Sequence, residues 1–170
     1  MKNRISVFAK VEERVQMIFE KMNCCINKNG LIDAAKLAYS FGFEIVEHNG
    51  LPYLLNGTIT CDSNGNQMAI NKKLSKEKKR YVITYLLASY LLYYQNQNFF
   101  IFDHLDSDED PEVSYMSRSL LIPKLILNQN INTDNQSLAD FFQVPLDVME
   151  QRTQEIKKTK RRKIILIHKN

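Results

Sequence analysis

The start of the chain carries apolar residues at helical spacing. From Val7 to Met22 they recur every three or four residues, which is the period of an amphipathic helix. Polar residues up to Gly30 interrupt this pattern. A second helical pattern then runs from Leu31 to Phe41 and is followed by Gly42, a typical residue at the end of a helix. We therefore predict two helices before residue 43.

The period changes after the second helix. Three short runs, Phe43–His48, Leu55–Cys61 and Asn66–Asn71, alternate in part between apolar and polar residues. The stretches NGLP and DSNGN separate them, and Asn-Gly turns between such runs are typical of hairpins. The pattern predicts a small three-stranded antiparallel sheet.

The segment from Arg80 to Tyr94 is apolar on nearly all sides, which predicts a helix enclosed by protein. A further helix is predicted from about Glu112 to Leu121, and a pair of helices at 137–142 and 147–156. The predicted class is therefore α+β and mostly helical. The predicted division is a domain at 1–127, a helix-turn-helix-like pair at 136–156 and a basic tail at 157–170.

The positive charge is unevenly distributed. The net charge is +4, but residues 157–170 hold seven of the 23 Lys and Arg and no Asp or Glu. The remaining chain carries 16 basic and 19 acidic residues, a net charge of −3. The high isoelectric point is therefore a property of the last residues and not of a basic, nucleic-acid-binding domain.

The composition, 44% apolar and 25% charged, is typical of a globular protein. No uncharged apolar run reaches the roughly 18–20 residues that a membrane span needs. The first residues carry charges where a signal peptide needs an apolar stretch. We therefore expect a cytoplasmic protein with no membrane partner, in which Cys24, Cys25 and Cys61 stay reduced.

Four segments occur in an order and at distances that are found in one known family. They are MAIN at Met68–Asn71, RYVITYLLASYLL from Arg80, MSRSLLIP at Met116–Pro123 and LADFFQVPLDVMEQR at Leu138–Arg152. With them, residues 31–156 resemble the ImmA/IrrE family of zinc metallopeptidases. The resemblance implies a zincin-like core around the central helix. It also implies a regulatory setting, because active members cut or inactivate helix-turn-helix repressors of phages and mobile elements, or govern stress responses.

The departure from the family pattern falls on the metal site. In the family, a His-Glu-x-x-His helix holds zinc with its two histidines, and the Glu acts as general base. The resemblance assigns these three positions to Tyr85, Leu86 and Ser89, and the position of a third ligand to Asp110. One carboxylate and one hydroxyl do not supply the roughly three protein ligands that zinc needs.

We therefore expect no bound metal, no cofactor and no peptidase activity. The sequence instead suggests a pseudo-protease, which keeps the scaffold of the family and has lost its catalytic groups. Such a protein would bind a partner protein, a phage-type repressor or a host factor, and regulate it by occupancy.

Two segments are candidates for contacting a protein partner. An acidic stretch at 103–112, which includes His104, lacks the Gly and the final Glu of a calcium loop. An aromatic group follows the central helix, and exposed aromatic residues are typical interface anchors. The alternative interpretations are a solvated loop for the acidic stretch and core packing for the aromatic group. The candidate partner-binding residues are Asp106, Asp108, Glu109, Phe99 and Phe100.

Nucleic-acid binding is the alternative function. The pair at 136–156 resembles a helix-turn-helix, and the cations after it could contact phosphates. Its second helix, however, offers Asp147, Glu150 and Glu155 beside Gln151 and Arg152, which is a poor surface for reading bases. Packing of the helices with a solvated tail is the simpler alternative. The candidate nucleic-acid-binding residues are Lys157, Lys158, Lys160, Arg161, Arg162 and Lys163.

Overall fold

The computed structural model describes residues 2–52, 54–63, 65–95, 97, 100–105, 110–130 and 132–167. This part of the chain is α+β and mostly helical, as predicted. The α-helices are α1 (Lys2–Lys21), α2 (Ala34–Ser40), α3 (Lys76–Ser89), α4 (Pro111–Leu121), α5 (Lys124–Gln129), α6 (Asn135–Phe142) and α7 (Leu146–Ile167). The strands are β1 (Phe43–His48), β2 (Leu55–Asp62), β3 (Gly65–Asn71) and β4 (Phe100–Leu105). A five-residue π-helical turn, Tyr90–Tyr94, continues α3.

The sheet differs from the predicted one in strand number and direction. Its four described strands have the order β1-β3-β2-β4. β1 runs parallel to β3, whereas β2 is antiparallel to both β3 and β4. The prediction of a three-stranded antiparallel sheet was therefore wrong, although the three predicted strands themselves are present. The missed strand, β4, begins inside the aromatic group after the central helix, which we had interpreted as core packing or a recognition patch.

The direction of β1 follows from where β3 lies. The Asn-Gly stretch after β1 suggested a hairpin with β2, but the six residues from 49 to 54 are more than a tight hairpin needs. β3 occupies the place between β1 and β2 and buries Met68 and Ile70. The parallel pairing continues past the strand, because the backbone N–H of Lys72 donates to the carbonyl of His48 at 3.1 Å.

Helix α3 packs closely across the sheet. Ser75 caps its N-terminus by accepting a hydrogen bond from the backbone N–H of Lys78 at 3.2 Å. Every residue from Tyr81 to Ser89 is buried, as the apolar pattern predicted. A Cβ on Gly57 of β2 would lie 2.9 Å from Val82 Cγ1, so the helix can approach β2 only because this residue is glycine.

The C-terminal helices share one core with the rest of the chain. Leu138, Phe142, Val148, Met149 and Ile156 are all buried in that core. α6 ends at Phe142 and is capped by Gln143, which adopts the left-handed conformation with φ 54°. α7, which we predicted to end at Ile156, continues to Ile167, so the basic segment is helical up to that residue. In the described part of the chain, no helix combines the length and the apolar character needed to cross a bilayer.

Candidate functional site

The three positions that the resemblance assigns to the lost metal site lie on the buried face of α3. Tyr85 is 1% exposed, and Leu86 and Ser89 are fully buried. The hydroxyl of Ser89 donates to the carbonyl of Leu86 in its own helix at 2.7 Å. Leu86 belongs to the hydrophobic core. The positions that would hold a metal in the family are thus occupied by buried side chains that pack in the core or bond to the backbone.

Asp110, the predicted fourth position, does lie beside Tyr85. The phenol oxygen of Tyr85 accepts a hydrogen bond from the backbone N–H of Asp110 at 2.7 Å. The carboxylate of Asp110 caps α4, because its Oδ1 accepts from the backbone N–H groups of Glu112 at 2.8 Å and Val113 at 3.0 Å. The two residues contact each other although 25 positions of the sequence separate them.

A second tyrosine, which belongs to the aromatic group after the central helix, contacts the carboxylate of Asp110. Tyr93 lies in the π-helical turn, and its hydroxyl donates to Asp110 Oδ1 at 3.3 Å. Partial burial and the carboxylates of Asp110 and Glu112 raise the pKa of Tyr93, so this phenol stays protonated and remains a donor at neutral pH. Its spacing of eight residues from Tyr85 is the signal that could have placed it on the same side of the helix.

His104 also belongs to this site and not to a solvated loop. The sequence analysis assigned it to the acidic stretch, but it lies in β4 and is 1% exposed. Its ring meets that of Tyr85 edge to face, with 4.3 Å between the centroids. Its Nδ1 lies 3.2 Å from the amide nitrogen of Asn56 in β2. A buried tyrosine–histidine contact therefore joins α3 to the sheet.

These residues form a hydrogen-bonded and aromatic cluster, which we call the Tyr85 cluster: Asn56, Tyr85, Tyr93, His104 and Asp110. Across the described residues, no group of three or more His, Cys, Asp or Glu side chains is placed to hold a metal ion. The phenols of the cluster contact Asp110 through its backbone N–H and its carboxylate. The contacts of the cluster hold α3, the sheet and the start of α4 together.

The other predicted partner-binding residues fall mostly on positions that the structure does not describe. Asp106, Asp108, Glu109 and Phe99 lie outside the described residues. Phe100 is the first residue of β4, where its backbone pairs with Cys61 of β2, and its side chain is also outside the described part.

The predicted nucleic-acid-binding residues all lie on α7. Lys157 and Lys158 are exposed. Lys160, Arg161, Arg162 and Lys163 occupy the next helical turn and beyond, and their side chains are outside the described part. The helix thus continues to Ile167, within the segment that we expected to be a tail.

Two residues of the second helix of the helix-turn-helix-like pair are not available to bases. Arg152 is 1% exposed, and its guanidinium lies 3.2 Å from Glu12 Oε1 of α1 and 3.4 Å from Glu155 Oε2. Glu155 also pairs with Arg118 of α4 at 2.7 Å. The hydroxyl of Tyr115 donates to Glu12. We call these five residues the Glu12 cluster; it joins α1, α4 and α7.

Arg80, a framework residue in the resemblance, links three segments. Its guanidinium donates to the carbonyls of Ile32 at 2.6 Å and Phe142 at 2.9 Å. Burial lowers its pKa, and the nearby charge of Asp33 acts in the opposite direction. Arg80 therefore ties the start of α3 to the segment before α2 and to the end of α6.

Comparison with known proteins gives no matching family model and no significantly similar curated protein. What the protein does must therefore be inferred from the residues and contacts described above.

Proposed function

We propose that the protein is a degenerate relative of the ImmA/IrrE metallopeptidases and acts as a pseudo-protease, binding a partner protein without cutting it. The observation that carries the proposal is the packing of Tyr85, Leu86 and Ser89. All three are buried, and the two hydroxyl groups bond to the backbone at Asp110 and Leu86. A bound water and a general base would need this space, and leucine cannot transfer protons.

The kind of partner follows from the regulatory setting that the resemblance implies. We infer a phage-type repressor or a host factor, which the protein regulates by occupying its surface. The acidic segment that contains Asp106, Asp108 and Glu109 is the proposed contact, because it follows β4 directly and leads into α4 beside the Tyr85 cluster. Phe99 and Phe100, at the start of β4, are the proposed aromatic anchors.

Affinity capture with the tagged protein tests this function. The lysate is treated with nuclease, and capture is repeated at low and high salt. We expect a stoichiometric protein partner that remains bound, intact, under both conditions. The partner is then purified and its affinity measured for the variant D106N/D108N/E109Q. The control, D140N/D147N/E150Q, neutralises three exposed acids of α6 and α7. We expect weaker binding for the first variant only.

Two outcomes would contradict the proposal. The first is cleavage of the captured partner that depends on added zinc and is lost with a chelator. The second is the recovery of nucleic acid alone, with no protein that survives nuclease treatment.

Nucleic-acid binding through α7 is a second candidate function. The observation in its favour is that Lys157 and Lys158 are exposed on a helix that continues through the other predicted cations to Ile167. Binding of duplex DNA should then weaken as the salt concentration rises. The slope of log affinity against log salt concentration should be about −0.9 for each phosphate contacted. Burial of Arg152 in the Glu12 cluster removes one of the few side chains suited to reading a base.

Fluorescence anisotropy with labelled duplex DNA separates this candidate from protein binding. The test variant changes the six predicted cations of α7 to Gln. The control changes six exposed lysines elsewhere, Lys10, Lys21, Lys28, Lys36, Lys72 and Lys73. If both variants lose affinity equally, or if binding is insensitive to salt, α7 is not the binding element.

A further inference from the structure

An apolar cavity of about 200 Å³ opens between α1 and the π-helical turn. It lies away from the Tyr85 cluster and shares no residue with it. We call it the α1 cavity. Its apolar lining consists of Met17, Ile18, Met22, Phe41, Leu91 and Met116, and its polar lining of Arg14, Lys21 and Gln95.

The lining suits a small apolar group of variable shape. Three of the six apolar side chains are methionines, whose unbranched, polarisable thioethers adapt to irregular ligands. Leu91 and Met116 form a buried wall, whereas Met17 is 44% exposed and can move without disturbing the core. An engineered apolar cavity of about 150 Å³ holds benzene, so a cavity of this size accommodates an apolar body of about eight carbon atoms.

Two cations give the cavity a preferred charge. Arg14 and Lys21 are both exposed side chains of α1, seven residues apart, and therefore lie on the same side of the helix. Among the described residues, neither cation lies within ion-pair distance of a carboxylate. An apolar cavity whose charged lining is cationic is complementary to an amphipathic anion.

The guanidinium of Arg14 is hydrogen-bonded to the π-helical turn. Its Nη1 donates to the carbonyl of Leu91 at 2.9 Å, at the point where the helix changes to the wider π geometry. This bond uses one of the five guanidinium N–H groups, and the planar fork of Arg suits carboxylates and phosphates. π-Helical turns are often found at functional sites, and here the turn supplies both a wall of the cavity and the acceptor that orients Arg14.

We propose that the α1 cavity binds a small amphipathic anion, with an apolar body of about eight carbons held by Met17, Met22 and Met116 and an acidic head bound by Arg14 and Lys21. The inference is independent of the proposed pseudo-protease function, because it uses none of the same residues.

Titration calorimetry with the full chain and two matched ligands tests this site. Octanoate and octanol have apolar chains that differ by only one carbon, and only octanoate carries an acidic head. We expect saturable 1:1 binding of octanoate, tighter than that of octanol by about tenfold, since a charge-assisted hydrogen bond contributes about that factor. Octyl phosphate shows whether the site distinguishes a carboxylate from a phosphate.

Three variants locate the site. R14Q and K21Q should each reduce the preference for octanoate to about threefold or less, with the affinity for octanol unchanged. K10Q removes another exposed lysine of α1 that does not line the cavity and should have no effect. Because R14Q also alters the hydrogen bond to Leu91, the thermal unfolding of this variant is compared with that of the wild type. K21Q tests the charge without changing any hydrogen bond in the described structure.

Several results would overturn the proposal. Equal affinity for octanoate and octanol in the wild type would show that the cations do not recognise the head. Binding that is unaffected in both R14Q and K21Q would place the ligand elsewhere. The absence of saturable binding would exclude the amphipathic anion and leave an apolar side chain of a partner protein, or a second copy of this chain, as the occupant.

Discussion

The hydroxyl of Tyr85 takes part in the hydrogen bonds that begin α4. The oxygen of Tyr85 accepts the backbone N–H of Asp110, and Asp110 Oδ1 accepts the next two free N–H groups of α4. The first N–H groups of a helix have no partner within it, so these bonds satisfy donors that would otherwise lie partly buried and unpaired. The residue at a position expected to bind metal is therefore part of a helix cap.

We expect Tyr85→Phe to lower the free energy of unfolding by about 1–2 kcal/mol, because it leaves the N–H of Asp110 without its acceptor. Tyr93→Phe should lower the free energy of unfolding by less than about 0.5 kcal/mol. The hydrogen bond of the Tyr93 hydroxyl is longer, and its side chain is 45% exposed. Urea unfolding followed by circular dichroism measures both. Equal losses for the two variants would show that the bond to the N–H of Asp110 has no special importance.

At the scale of elements, the close approach of α3 to β2 determines the architecture of the site. It depends on Gly57, where a Cβ would also lie 3.0 Å from the carbonyl oxygen of Ala69 in β3. The helix can then bring Tyr85 against His104 of β4.

Gly57→Ala should lower the free energy of unfolding by about 1–3 kcal/mol, as inserted methyl groups in packed cores do. Val82→Ala removes the closest side-chain contact of the added methyl group, so the double variant should be more stable than the sum of the two single changes predicts. Chemical unfolding of the four proteins gives the coupling energy. Strict additivity would mean that Val82 is not what limits the space at Gly57.

Sequence reasoning recovered most of the local elements, but it missed β4, α5 and the pairings between distant strands. The apolar run around Tyr85 predicted a buried helix, because burial on all sides leaves a clear pattern. The strand that pairs with β1 could not be predicted. Strand order depends on how the whole sheet packs, and the residues of β1 alone do not determine that packing. His104 was placed in a loop because the acids after it are polar, although the run FIFDHL before them has the composition of a strand.

At the scale of the whole molecule, the Glu12 cluster joins the first and last helices. Arg152 contacts Glu12 across 140 positions of the sequence. Burial alone would raise the pKa of Glu12, but Arg152 and the hydrogen bond from Tyr115 outweigh it and lower the pKa. A carboxyl whose pKa is lowered in the folded state stabilises the fold at pH values above its ordinary pKa. This contribution is lost as the pH falls through the lowered pKa of the folded state.

Glu12→Gln should therefore destabilise the protein at pH 7 by about 1.5–3 kcal/mol, the range for a hydrogen bond to a charged group. The difference from the wild type should shrink as the pH falls below the ordinary pKa of Glu. Glu13→Gln changes an exposed neighbour and should show no such dependence. Thermal unfolding from pH 7 to pH 3 measures both variants. A difference that is constant with pH would exclude the ionised carboxylate as the cause.

The strand order has a consequence for synthesis on the ribosome. β1 leaves the ribosome before β2 and β3, yet its described ladder pairs it with β3 alone. The β2–β3 hairpin closes a short loop and can form as soon as both strands are available. β1 must wait for that hairpin, and α1 must wait for Arg152 of α7. α1 thus remains without its full set of partners until α7 has been made, so the fold is completed late in translation and not segment by segment.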